Sequence, residues 1–166
     1  QLAKERGAKV FTTTGNQKKA EIAKQFDADE TILYREKDFS KSVLEITDGE
    51  GVDVVFDSVG KATIDGSIAS SKLLGTVVLF GDASGIMPPI ETRKLAAKCI
   101  KLTRVSLMPF VANHTAIKKR CEELFELYLA KKLIPLIAPI RHLSETPDVL
   151  KEMANRDTIG KLLLKP

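Results

Sequence analysis

The stretch Thr12-Thr13-Thr14-Gly15-Asn16-Gln17-Lys18-Lys19 carries the clearest chemical bias in this chain. Residues 9–14 read as a β-branched strand that stops at Gly15, and Asn16 can cap a helix running to about Phe26. Dinucleotide-binding folds place an acid near the end of such a strand to accept the ribose hydroxyls. No acid stands here, and two lysines fall in the first turn of the helix instead. Lysine there is unfavourable by about 0.3–1 kcal/mol per charge, because the helix N-terminus is already positive. A phosphate reverses the sign: amides, dipole and ammonium groups then all attract it. Tyr34-Arg35 closes the next short strand and would lie close by. Solvated lysines are the plain alternative. The missing acid, together with base at neighbouring strand ends, favours a phosphate on the ribose, and hence NADP over NAD.

Other strand ends are also rich in small residues. They are Asp57-Ser58-Val59-Gly60 and Gly81-Asp82-Ala83-Ser84-Gly85, with Leu107-Met108-Pro109 after the last strand. Glycine lets a ligand approach the backbone closely, although any single one could simply make a turn. Several such ends together point to a binding crevice, because ligands of open parallel sheets sit beyond the carboxyl ends of the strands. Asp57 reads as a partner for backbone amides and His142 as part of a polar loop. No catalytic acid, base or nucleophile can be named.

These ends are positioned by a regular alternation. Strands are expected at 9–14, 30–35, 52–56, 76–80 and 101–107. Helices are expected at 16–26, 39–46 and 62–74, with a short one near 91–99 and the longest over 115–132. Strands 52–56 and 76–80 read as buried. Cys121, Leu124, Phe125, Tyr128 and Leu129 form the expected inner stripe of the longest helix. Such alternation predicts an α/β fold: a doubly wound parallel sheet covered on both faces. Residues 134–166 differ, reading as a strand-helix-strand tail, so the expected division is 1–133 and 134–166. Residues 1–6 read as the closing turns of a helix stopped at Gly7, with no capping residue before them. The chain is thus expected to begin inside a helix.

Composition narrows the function classes. Lys and Arg total 26 against 22 Asp and Glu, a net charge of +4, with 5% aromatics and no Trp. Such a mild, scattered excess argues against a nucleic-acid partner. Cys99 and Cys121 lie far apart, and neither has ligand-like spacing with His114 or His142, so no metal site is expected. Two free thiols suit a reducing, cytoplasmic setting. No apolar run of membrane-spanning length and no signal peptide is visible, so no membrane partner is expected.

The segments "ERGAKVFTTTGNQKKAEIAKQFDADETILYREKDF", "GVDVVFDSVG", "GTVVLFGDASG" and "IGKLLLKP" occur in this order. Together they resemble the medium-chain dehydrogenase/reductase family, in its zinc-independent NADPH:quinone oxidoreductase branch. The resemblance implies a Rossmann-like domain lacking its first, central strand and Gly-rich phosphate turn. That strand would lie between 9–14 and 52–56. It implies the C-terminal half of a longer protein, with NADPH as cofactor and a quinone or enone as substrate. Lys19 and Tyr34 match positions that hold the 2′-phosphate, with Gly15 beside them. Ser58, Val59, Phe80 and Gly81 match segments lining the cofactor, and Arg156 matches a basic residue of the tail that helps bind it. The strand from Leu102 to Leu107 matches an edge through which family members pair, implying a homodimer; an exposed edge strand does need a partner or a cover. The isolated chain is expected to bind NADPH weakly or not at all and to reduce no quinone. Two other classes stand beside this reading: a non-catalytic structural or dimerising fragment, and more distantly a methyltransferase. The methyltransferase would need an acid at the end of strand 9–14.

Overall fold

The computed structural model describes residues 1–155 and 158–166. Two compact units divide the chain: residues 9–117, and residues 1–8 together with 118–166.

In the larger unit, β1 (Phe11–Thr14) pairs with β2 (Glu30–Leu33) in parallel, Phe11 opposite Glu30 and Thr14 opposite Leu33. Helix α2 (Gln17–Gln25) joins them. Asn16 begins it as expected, accepting the Lys19 amide at 3.0 Å. Helix α3 (Phe39–Ile46) follows, capped by Asp38, and packs against both β2 and α4 (Ile64–Ser70). A second parallel sheet has the order β3-β4-β5, with β3 at Val52–Asp57, β4 at Ser71–Leu79 and β5 at Lys101–Arg104. The core sits on that sheet, where Ile64, Ile68, Val77 and Ile100 pack with Val55, Leu95 and Leu102.

All five strands are parallel, as the alternation requires, but they form separate sheets of two and three strands. Strand β1 is hydrogen-bonded to β2 alone and β3 to β4 alone among the described residues. The break falls where the resemblance places a central strand.

Several expectations need correction. The helix expected over 62–74 ends at Ser70. There Ser70 and Ser71 donate their hydroxyls back to the Ser67 carbonyl, and Lys98 Nζ takes the Ala69 and Ser71 carbonyls at 2.8 Å each. Those bonds occupy the Ser67 and Ala69 carbonyls near the helix end, and the chain then runs straight into β4. Strand β3 is not buried on both faces, since Phe56 is 70% exposed and Val54 is also open. The run from Leu102 to Leu107 is not all strand: the β4–β5 ladder stops at Arg104, and α5 is only Arg93–Ala96. Helix α6 (His114–Leu129) exists, yet Leu124, Phe125, Tyr128 and Leu129 are all exposed. Periodicity reveals an apolar face; it does not supply the surface that covers it.

In the smaller unit, α1 (Leu2–Glu5) is tied down by its own ends. The Gln1 amide exchanges two hydrogen bonds with the Ile134 backbone, and Lys132 pairs with Glu5 at 2.6 Å. The tail is strand, helix, strand as expected. Strand β6 (Arg141–His142) pairs in parallel with β7 (Leu164–Lys165) around α7 (Thr146–Ala154). Arg141 donates to Glu152 at 2.8 Å, fastening helix to strand.

Candidate functional site

The first cluster stands at the end of the β1–β2 sheet. A Cβ added to Gly15 would lie 3.2 Å from the Tyr34 hydroxyl and 3.3 Å from Arg35 Nε. Phenol and guanidinium therefore lie directly over bare backbone. The parallel register produces this. Tyr34 follows the last residue of β2, and its amide donates to the Thr14 carbonyl at 3.1 Å, which brings its side chain over the β1–α2 turn. Lys18 and Lys19 occupy the first turn of α2, where no acid stands. Positive charge, donor groups and close access to backbone thus converge on one turn.

The second cluster joins the ends of β3 and β4. Asp57, only 4% exposed, organises it. Its Oδ1 accepts the Val59 and Gly60 amides at 2.9 Å each, and its Oδ2 accepts the Ser67 hydroxyl at 2.8 Å. The Thr63 hydroxyl lies 2.9 Å from both oxygens. A carboxylate so fully engaged fixes a turn and is not placed to exchange protons with a substrate. This agrees with its reading as a partner for backbone amides.

That turn receives the next one. The Phe80 amide donates to the Asp57 carbonyl, the Ala83 amide to the Ser58 carbonyl at 3.3 Å, and the Ser84 amide to the Val59 carbonyl at 2.9 Å. Ser84 Oγ also donates to the Val59 carbonyl and accepts the Ala62 amide. Gly81 packs against Ser58 with no room for a side chain. Phe80, at the mouth of β4, is half exposed.

The structure therefore brings the sequence-derived residues into two groups: Gly15 and Tyr34, with Lys19 one helical turn away, and Ser58, Val59, Phe80 and Gly81. Arg156 lies outside the described residues. His142 is held by Ser144, whose hydroxyl meets its Nδ1 at 2.8 Å, in a cap of the following helical turn. Among the described residues no cluster of His, Cys, Asp and Glu could hold a metal, and both cysteines are free thiols. A groove of about 320 Å³ between α4 and α5 lies away from both strand-end clusters, and the Lys94–Asp65 pair is part of its wall.

Sequence reasoning placed Asp82 and Ser84 in a strand-end loop without assigning them a role, and it missed Arg104. Arg104 ends β5 opposite Leu79, and its guanidinium grips the Asp82 carboxylate. An acid just after one strand and a base at the end of the next were the available signal; the ladder register makes them neighbours.

Comparison with known proteins fits this geometry. Residues 1–128 match the family described as zinc-binding dehydrogenase. The chain is 35% identical over 166 residues to a 2-haloacrylate reductase of Burkholderia sp, covering 99% of this chain and 50% of that protein. It is 32% identical over 172 residues to quinone oxidoreductase 1 of Escherichia coli, covering 100% of this chain and 52% of that one. The crystal structure of Escherichia coli quinone oxidoreductase complexed with NADPH superimposes with a TM-score of 0.93 at 32% identity, covering 99% of this chain and 52% of its own. The chain thus spans about half the length of the curated relatives it matches. On this ground the chain belongs to the zinc-binding dehydrogenase family, within the medium-chain dehydrogenase/reductases, and shares the parallel Rossmann-like fold of its quinone oxidoreductases.

Proposed function

We propose that this chain is the cofactor-binding portion of an NADPH-dependent oxidoreductase that delivers hydride to a quinone or similar conjugated carbonyl. The observation that carries this reading is the placement of Tyr34 and Arg35 over Gly15, beside the lysine-bearing first turn of α2. The residues present fit NADPH. A 2′-phosphate would meet Lys19 and the Tyr34 hydroxyl above bare glycine backbone. The turns carrying Ser58, Val59, Phe80 and Gly81 would line the remainder of the dinucleotide. Relatives named as quinone oxidoreductases and haloacrylate reductase, and a structural neighbour complexed with NADPH, support the substrate class and the cofactor.

When bound, NADPH would supply the hydride. The chain's own residues bind and orient it. Lys19 and Tyr34 hold the phosphate end, the Asp57-organised turn fixes the backbone that faces the cofactor, and Gly81 keeps that wall thin. No residue here is assigned to proton transfer.

The same reading divides the chain into a cofactor domain over 1–133 and a returning tail over 134–166. It takes the chemistry to be zinc-independent, the setting cytoplasmic and the assembly a homodimer. The dimer would pair through the open edge of β5, within the run from Leu102 to Leu107.

Calorimetric titration with NADPH, and NADH as control, tests the reading. The expected result is weak binding with a preference for NADPH of about tenfold or more, one charge-assisted contact being enough for that factor. Equal affinity for the two, or a preference for NADH, overturns the phosphate site. Robust quinone turnover by these 166 residues alone would overturn the division of labour.

A further inference from the structure

We infer that Arg104 is a positioning residue: acting through Asp82, it holds the turn of residues 81–85 in place as a wall of the cofactor crevice. This rests on the cofactor reading above. The parallel register sets Arg104 opposite Leu79, the last residue of β4, and so beside the turn that β4 leads into. Its Nη1 donates to Asp82 Oδ1 at 2.9 Å and its Nη2 to Oδ2 at 2.6 Å. Nη1 also donates to the Gly81 carbonyl at 3.2 Å. One planar guanidinium thus fixes both the side chain and the backbone of the turn, which a lysine ammonium could not do with the same geometry.

The opposite flank of the turn is held by β3. Ala83 and Ser84 donate to the Ser58 and Val59 carbonyls, and a Cβ on Gly60 would sit 3.1 Å from the Gly81 carbonyl oxygen. Three strand ends are therefore linked across one turn, with Arg104 as the clamp on the β5 side. Arg104 and Asp82 are about half exposed, at 50% and 41%. Ion pairs so open to water add little to global stability. Their effect is local, on the order of the turn itself.

The test compares Arg104→Gln, Asp82→Asn and the double variant with the unsubstituted 166-residue chain. Amide hydrogen exchange is followed at Ala83 and Ser84, with buried Val77 as the control. NADPH affinity and Tm are measured alongside. Each single variant is expected to speed exchange at Ala83 and Ser84 by about tenfold while Val77 is unchanged. The double variant is expected to be no faster than Arg104→Gln alone, because that variant already removes the Asp82 contact together with the Gly81 one. Where the unsubstituted chain binds NADPH, Arg104→Gln is expected to weaken binding by about fivefold at unchanged Tm, which a merely structural residue would not do. Unchanged exchange at Ala83 and Ser84, additive effects, or unchanged affinity in a chain that binds would each overturn the proposal. If the unsubstituted chain takes up no NADPH, as an isolated half of the relatives' length is expected to do, the exchange measurement alone decides whether Arg104 holds the turn.

Discussion

Gly81 and Ser58 stand backbone against backbone. A Cβ on Gly81 would lie 2.9 Å from the Ser58 carbonyl carbon and 3.0 Å from its Cα. Neither atom belongs to a flexible side chain, so a methyl group there must push the ends of β3 and β4 apart. Gly81→Ala is expected to destabilise the chain by roughly 1–3 kcal/mol, the usual cost of overpacking. Urea denaturation measures it, and an unchanged midpoint would show that the two turns are not in contact in solution.

Asp57 offers a different kind of sensitivity. Its removal would leave the Val59 and Gly60 amides and the Ser67 hydroxyl without their acceptor. Asp57→Ala is expected to cost on the order of 3 kcal/mol, since several buried donors lose one partner together. Thermal unfolding of the variant, compared with Asp57→Asn, checks this.

The uneven covering of the β3–β5 sheet leads to a contrast. Ile68 is buried in the core cluster, whereas Phe56 on β3 is 70% exposed. Ile68→Ala is expected to cost about 2–5 kcal/mol through cavity formation. Phe56→Ala is expected to fall within about 0.5 kcal/mol of zero, as for other exposed positions. A comparable loss at Phe56 would mean that its face is covered in solution.

Discrimination between the two nicotinamide dinucleotides is expected to reside at Lys19 and Tyr34. Lys19→Ala is expected to weaken NADPH binding by about tenfold and to leave NADH binding unchanged. Fluorescence titration with both dinucleotides separates these outcomes. Equal weakening of both would move Lys19 away from the phosphate.

Asp38 gives a pH dependence whose sign is fixed. The Ser40 hydroxyl, donating at 2.7 Å, is the main cause holding its carboxyl below the ordinary value of 3.8, helped by the Ser40 and Lys41 amides. A lowered folded-state pKa means that this cap stabilises α3 above the unfolded pKa and is lost as pH falls through the folded one. Stability is therefore expected to drop as pH falls below the unfolded value of 3.8 and through the lower folded one, and to drop less in Asp38→Asn, whose side chain still caps. Parallel curves for the two proteins would remove Asp38 from the acid transition.

Local chemistry made much of this protein legible in one dimension. β-branched runs such as residues 11–14, the Asn16 and Asp38 caps and glycines at strand ends all act over a few residues. The order of strands and helices followed from them, and with it the parallel α/β class. The missing acid and added lysines after β1 were equally local, and with Tyr34-Arg35 at the next strand end they raised the expectation of a phosphate site. What depends on distant partners was not legible. Strand β1 meets β2 across 19 residues, and only their register lays Tyr34 and Arg35 over Gly15. The Arg104–Asp82 clamp spans 22 residues and exists because β5 pairs with β4 in one particular register. The helix expected to reach residue 74 ends at Ser70, where Lys98, far along the chain, takes the Ala69 carbonyl of the helix and the Ser71 carbonyl of β4. Apolar periodicity in β3 and α6 announced faces that ought to be buried. Which of them are covered, and by what, is a property of packing: burial depends on the surface that arrives from elsewhere, and no spacing along a single element contains it.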